Sequence, residues 1–125
     1  MRDFHTVGSW TLADHLASAA QARACMRGAA AAHPSLDDLE LVASELVANA
    51  VEHGGGPIEL ALDEAPGRLR ITVSSDAGSA EPEVVSAAMD AGSGRGLALV
   101  SSLAERWGWE RVDGRLAVWA EFSDA

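Results

Sequence analysis

The segment SELVANAVEHG, residues 44–54, combines the spacing of an amphipathic helix with a line of polar side chains. Glu45, Asn49 and His53 follow one another at four-residue steps, and residues four apart share one face of a helix. A carboxylate can take a proton or orient a nucleophile, and an amide oxygen is a hard ligand for Mg²⁺. On spacing alone a solvated helix edge is the simpler interpretation, so a catalytic edge needs support from elsewhere in the chain.

Length and composition favour one globular domain. A chain of 125 residues is expected to fold as a single domain, residues 1–125, around one core. The sequence has no apolar run long enough for a transmembrane helix, and its first residues lack the apolar stretch of a signal peptide. The single cysteine, Cys25, excludes an internal disulfide and fits a reducing compartment. We therefore expect a cytoplasmic location.

The charged residues narrow the classes of function. The formal net charge is −10, which argues against a general nucleic-acid or anionic-membrane surface. All nine cationic residues are arginine, and the sequence contains no lysine. The Walker-type phosphate loop needs its lysine, as do protein kinases of the common eukaryotic type. If the chain binds a nucleoside triphosphate, it must use another design.

Periodicity predicts three main helices. The first covers about residues 12–32, and the second runs to about His53. Ser35 and Asp38 have the spacing of a capping box at the start of the second helix. The third helix is expected to begin near Gly96.

The remaining segments are predicted to form strands and a long connection. A short first strand is predicted at 4–10, and residues 58–74 alternate between apolar and polar as in a hairpin. Asp-Gly at 113–114 marks a second hairpin. The long connection at 75–94, with a short helix near 84–89, is not needed for packing and is therefore a candidate functional loop. The expected fold is an α+β two-layer sandwich, with an antiparallel-rich mixed sheet covered on one face by about three helices.

The segment AGSGRGLALV, residues 91–100, places three glycines before a helical pattern. Glycine lets the backbone approach a ligand closely, and the free N–H groups of a helix N-terminus favour an anion such as phosphate. The motif G-S-G-R-G-L does not complete the dinucleotide-binding fingerprint. A flexible linker that ends in a helix cap explains the segment equally well.

A third motif, SSDAGSAEP at 74–82, follows the predicted hairpin. Asp76 and Gly78 form D-x-G at a strand end, where a carboxylate can accept a hydrogen bond from an exocyclic amine and glycine permits a tight turn. Taken alone, the segment is typical of a surface turn.

The order of these three motifs, ELVANAVEHG, DAG and GSGRGL, resembles the N, G1 and G2 boxes of the histidine-kinase-like (GHKL) ATPase family. The similarity covers nearly the whole chain and is greatest to the short, stand-alone anti-sigma-factor serine/threonine kinases of actinobacterial type. Membership would imply the Bergerat-type ATP-binding fold. It would also explain the missing lysine, because this fold uses Mg²⁺ and backbone N–H groups for most of the phosphate charge.

The resemblance implies a role for each motif. Glu45 would be the base or orienter for the attacking hydroxyl, and Asn49 would coordinate Mg²⁺ bound to ATP, with His53 on the same edge. Asp76 would hold the adenine amino group, with Gly78 in its turn. The phosphates would be wrapped by Gly92, Gly94, Arg95, Gly96 and Leu97. Residues 79–91 would form a short lid.

The spacing after the strand departs from the family pattern. The G1 aspartate of the relatives usually comes two residues after the last apolar strand residue, whereas Asp76 comes three residues after Val73. Either the strand carries a bulge, or Ser75 occupies the position and adenine recognition is weakened. The D-x-G spacing favours Asp76, and the strand register favours Ser75.

Two functional hypotheses follow from the resemblance. The first is a serine/threonine kinase that acts as an anti-sigma factor by partner switching, with a sigma factor and a small anti-anti-sigma antagonist protein as partners. The second is a catalytically degenerate anti-sigma or adaptor module. A metal-dependent hydrolase is disfavoured because the histidines lack ligand spacing: His5, His15, His33 and His53.

The tryptophans suggest an assembly. Trp107, Trp109 and Trp119 fall at strand positions that are unexpectedly apolar for a solvent face, and exposed aromatic surface usually marks an interface. Together with the dimeric state of the family's kinases, this predicts a homodimer that uses the sheet side or the first strand. The alternative is that these side chains are buried in the monomer.

Overall fold

The structure, a computed structural model, describes residues 4–76 and 95–123. The elements in chain order are β1 (His5–Leu12), α1 (Ser18–Ala29), α2 (Leu36–His53), β2 (Ile58–Ala65), β3 (Arg68–Ser75), α3 (Arg95–Leu103), β4 (Arg106–Val112) and β5 (Arg115–Ser123). The short helix expected at 84–89 lies outside the described residues.

The strands form one sheet in the order β1-β2-β3-β5-β4, and each of the four pairings is antiparallel. Every second residue of β3, from Leu69 to Ser75, is buried, as expected for a sheet with one covered face. The apolar members of this set join one core with α1, α2 and α3, which contribute Met26, Leu46 and Val100 among others. The two-layer sandwich predicted from the sequence is therefore confirmed.

The helix termini differ from the sequence predictions. The first helix is shorter than residues 12–32, because β1 continues to Leu12 and α1 starts only at Ser18. The predicted capping box is wrong, since the Ser35 side chain makes no capping hydrogen bond. Ser35 has φ −105° and ψ 28°, outside the extended region that capping residues normally adopt. Its backbone N–H instead donates to Nδ1 of His33 at 3.0 Å.

The hairpin predictions are confirmed. Asp113 and Gly114 both have positive φ, 53° and 80°, which is the conformation of the type I′ turn that joins two adjacent strands. The register of β3 is unbroken against β2 up to Ser74 and against β5 up to Ser75, so β3 carries no bulge between Arg68 and Ser75. The sheet does have a register shift in β1, between Thr6 and Gly8.

The tryptophans do not share one face, and this corrects the sequence interpretation. Trp107 and Trp109 oppose Ala120 and Val118 and pack against the core on the helix side. Trp119 opposes Gly108, and its ring lies across that glycine on the other face. An aromatic surface made of all three side chains therefore does not exist.

Candidate functional site

The polar edge of α2 borders the packed face, as the helical spacing predicts. Glu45 and Asn49 are half-buried, whereas His53, in the last turn, is exposed. On the adjoining arc, Leu46 and Ala50 are buried in the core. Among the described residues neither Glu45 nor Asn49 has a side-chain hydrogen-bond partner. Within the described part of the chain, this carboxylate and this amide are therefore partly desolvated and unpaired.

The end of β3 packs against the end of α2. Ser75, the last residue of β3, is 3% exposed. A Cβ atom at Gly54, which follows α2, would lie 2.6 Å from Ser75 Oγ and 2.6 Å from the carbonyl oxygen of Ala50. Only a glycine permits this approach without a shift. The contact joins the helix that carries Glu45 and Asn49 to the strand that precedes the D-x-G motif.

Asp76, the first residue after β3, belongs to a different set of contacts. Its backbone N–H donates to the carbonyl oxygen of Gly55 at 3.0 Å. Its carboxylate, with 55% of the side chain exposed, accepts a hydrogen bond from Arg115 Nη1 at 2.8 Å. Arg115 Nη2 donates to the carbonyl oxygens of Pro57 at 2.7 Å and Ser74 at 3.0 Å. One guanidinium therefore joins Asp76, the α2–β2 loop and the end of β3.

The glycine-rich motif is described only from its helical part. α3 begins at Arg95 with Gly96 in its first turn, Leu97 is buried in the core, and the helix packs against α2. The first turn of this nine-residue helix has backbone N–H groups without partners inside the helix. Gly78, Gly92 and Gly94 lie outside the described residues, as does the side chain of Arg95.

Arg115 is the residue that the sequence interpretation missed. It lies 39 residues after Asp76 in the chain, and its identity as the first residue after a tight turn gives no hint of a role. Its position becomes visible only through the pairing of β5 with β3, which places Leu116 opposite Ser75. Nonlocal pairing, rather than any local motif, creates the contact.

The described residues include a candidate ligand for Mg²⁺, the amide oxygen of Asn49. Among the described residues no group of three or more His, Cys, Asp or Glu side chains could hold a metal ion. Mg²⁺ usually keeps several waters and takes one or two protein oxygens together with substrate phosphates. The half-buried amide of Asn49 meets that requirement.

Comparisons with known proteins give the family and the fold of this chain. The family model for the histidine kinase-like ATPase domain matches residues 10–122. A crystal structure of the RsbU and RsbW domains of Rv1364c from Mycobacterium tuberculosis has the same fold, with a TM-score of 0.68 and 23% identity over 93% of this chain. The match spans only 31% of that longer chain. A search of curated proteins finds no match.

Within the described residues, no helix has the length and apolar character needed to cross a membrane.

Proposed function

The chain belongs to the histidine kinase-like ATPase domain family, and we propose that it is an ATP-binding regulatory serine/threonine protein kinase acting as an anti-sigma factor by partner switching. The observation that carries the proposal is the pair of half-buried side chains, Glu45 and Asn49, which lack partners among the described residues and lie on the core-bordering edge of α2. Partial burial beside the core supports the proposal, because a bound ligand would supply the polar partners that a carboxylate and an amide need when water is displaced from them.

In this proposal each described residue has a chemical task. Glu45 accepts the proton of the attacking hydroxyl or orients it, a role that suits a half-desolvated carboxylate. Asn49 would hold Mg²⁺ through its amide oxygen, and the metal would supply charge neutralisation at the phosphates. The N-terminus of α3 presents backbone N–H groups to the phosphates. His53, exposed at the end of α2, lies on the same edge.

The glycine-rich segment completes the proposed phosphate site. Its backbone would wrap the triphosphate, and the positions implied are Gly92, Gly94, Arg95, Gly96 and Leu97. Gly78 would allow the turn after the strand that carries the base-binding residue. The absence of lysine from the sequence supports a design that depends on backbone groups and a metal ion rather than on a lysine side chain.

The proposed partners are proteins. We assign a sigma factor and a small antagonist protein to this chain because of its family and its likeness in fold to a protein with an RsbW domain. The net charge of −10 argues against direct nucleic-acid contact. We place the protein in the cytoplasm and expect a homodimer.

One observation favours a second candidate function, a catalytically degenerate anti-sigma or adaptor module. The carboxylate expected to bind adenine, that of Asp76, is paired with Arg115. A chain that had lost base recognition could retain the fold and its protein partners without turnover.

The deciding experiment is a titration of the purified protein with Mg-ATP, followed by tryptophan fluorescence and by ADP formation. The kinase proposal expects saturable binding and turnover, both altered by substitutions in α2. Binding without turnover would select the adaptor function. No binding would leave a protein-interaction module and overturn the kinase proposal.

A further inference from the structure

Ser75 and Asp76 lie on opposite faces of the sheet. Successive side chains of a strand alternate between faces, and β3 is paired without interruption through Ser75, which opposes Leu116. Leu116 belongs to the core on the helix side. Ser75 therefore points toward the helices, where α2 carries Asn49. Asp76 lies just beyond β3 and pairs with Arg115, which precedes Leu116 on β5 and so projects from the other face.

Arg115 holds Asp76 on that other side. The guanidinium donates to Asp76 Oδ1 at 2.8 Å and to the carbonyl oxygens of Pro57 and Ser74. Asp76 Oδ2 lies so close to Gly56 that a Cβ atom there would be 2.3 Å away. A rotation of Asp76 toward the helix side would break the ion pair. It would leave Arg115, whose Nε is already buried without a partner among the described residues, with one fewer acceptor. The carboxylate is thus held by Arg115 on the side of the sheet away from α2.

The Ser75 hydroxyl, by contrast, is uncommitted. It lies against Gly54 at the end of α2, and it has no hydrogen-bond partner in the part of the chain that the structure describes. A hydroxyl can donate one hydrogen bond and accept others, whereas an ionised carboxylate can only accept. An acceptor-only group selects an exocyclic amine over a carbonyl, and a hydroxyl can satisfy either.

We propose that Ser75, not Asp76, is the specificity-determining residue at the purine end of the nucleotide site, and that the site takes guanine nucleotides about as well as adenine nucleotides. The inference rests on the proposed nucleotide-binding function and adds the base selectivity to it. Ser75 contacts the base through its hydroxyl, which donates to the carbonyl of guanine or accepts from the amine of adenine. Asp76 and Arg115 fix the α2–β2 loop behind that contact.

The test measures dissociation constants for Mg-ATP and Mg-GTP with the full chain. For the wild-type protein, the two dissociation constants are expected to agree within about threefold. One additional hydrogen bond to a charged group would instead confer a preference of roughly tenfold or more. Ser75→Asp should shift the ratio toward ATP by about tenfold or more, because the new carboxylate accepts only. Ser75→Ala should weaken both nucleotides alike and leave the ratio unchanged.

Two further variants keep the test decisive if Ser75→Asp fails to fold. Asp76→Asn removes the carboxylate charge and should leave the ratio of the ATP and GTP dissociation constants at its wild-type value. Asp63→Asn, which makes the same change of charge on β2, is its control. The proposal would be overturned if the wild-type protein preferred ATP by more than about tenfold and if Asp76→Asn, but not Asp63→Asn, abolished that preference. If the wild-type chain binds neither nucleotide, the proposed function itself fails, which is a distinct result.

Discussion

The carboxylate of Glu121 lies 2.6 Å from Arg106 Nη2 on the helix-free face of the sheet, yet the Glu121 side chain is fully buried. Arg70 donates to the same carboxylate from β3, and Arg68 lies 3.6 Å from it. Burial by itself would raise the pKa of Glu121. The hydrogen bonds and charges of Arg106 and Arg70 outweigh that effect and hold the pKa below its ordinary value.

The first prediction concerns this cluster. Glu121→Gln should destabilise the fold by about 1–3 kcal/mol at pH 7, because it leaves the arginine donors without their charged acceptor. The loss should appear as a lower urea midpoint with an unchanged slope. Glu105→Gln is the control, since the Glu105 side chain is half-exposed and pairs with Arg68 at the edge of the cluster, and it should cost less than about 1 kcal/mol. Equal losses in the two variants would contradict the assignment.

The pH dependence of the same cluster has a definite sign. Because the pKa of Glu121 is lowered in the folded state, the unfolded chain takes up the proton first as the pH falls. The stabilisation is therefore complete above the ordinary carboxyl range and is lost as the pH falls through it toward the folded-state pKa. Urea unfolding between about pH 3 and about pH 6, which bracket that range, should show a shallower loss for Glu121→Gln than for wild type.

The second prediction concerns Gly54. A Cβ atom there would lie 2.6 Å from the backbone oxygen of Ala50 and 2.6 Å from Ser75 Oγ, so Gly54→Ala should push α2 away from β3 and cost about 1–3 kcal/mol. Gly28→Ala is the matched control. Gly28 is helical, and a methyl group placed on its Cα would meet nothing within 4 Å, so alanine there should be neutral or stabilise by up to about 1 kcal/mol. Two variants of equal stability would refute the close contact.

The third prediction concerns Asn49. If its amide binds Mg²⁺, Asn49→Ala should lose most of the Mg²⁺-dependent gain in ATP affinity while folding stays nearly intact, because the side chain is only half-buried. The measurement is an ATP titration with and without Mg²⁺. Gln21→Ala, which removes an exposed neutral amide from α1, is the matched control and should leave Mg-ATP affinity unchanged. A folded Asn49→Ala protein with wild-type Mg-ATP affinity would remove the metal role.

The fourth prediction concerns Glu45. As base or orienter it should affect turnover more than binding, so Glu45→Ala should bind Mg-ATP normally and form ADP about 10²–10⁴-fold more slowly. Single-turnover measurements separate the two effects. Wild-type turnover in this variant, given an active wild-type protein, would eliminate the proposed role.

The fifth prediction concerns assembly. Light scattering at micromolar concentration should give about twice the chain mass of 13.0 kDa. Trp119→Glu, on the helix-free face, should lower that mass if the dimer uses the sheet side, and Val112→Glu, an exposed change at the hairpin tip, should not. A constant mass near 13.0 kDa would exclude the dimer.

Most of the fold could be predicted from the sequence because its signals are local. The alternation of apolar and polar residues predicted both hairpins, and Asp113-Gly114 predicted the turn between β4 and β5. The same turn pairs Val112 with Arg115, and continuing the pairing back along the strands puts Trp119 opposite Gly108. The opposite faces of the tryptophans could therefore have been predicted from register, although residue type suggested otherwise.

The site was less accessible to sequence reasoning because it depends on contacts between distant segments. The half-buried position of Asn49 follows from helical period. The pairing of Arg115 with Asp76 does not, since it requires β5 to lie beside β3. The burial of Glu121 likewise needs arginines from two neighbouring strands, Arg70 and Arg106, to converge on one carboxylate.

The register shift in β1 has a consequence for behaviour at high concentration. β1 is an edge strand, and an edge strand with regular, unpaired N–H and C=O groups can template the addition of a strand from another molecule. The irregularity between Thr6 and Gly8 interrupts that row, and the Trp10 ring lies where a side chain at Gly8 would project. Deletion of Val7, the residue that the register of β1 against β2 skips, would remove the extra residue, make the strand regular and restore the template. Such a variant should form amyloid-like aggregates more readily than the wild-type chain.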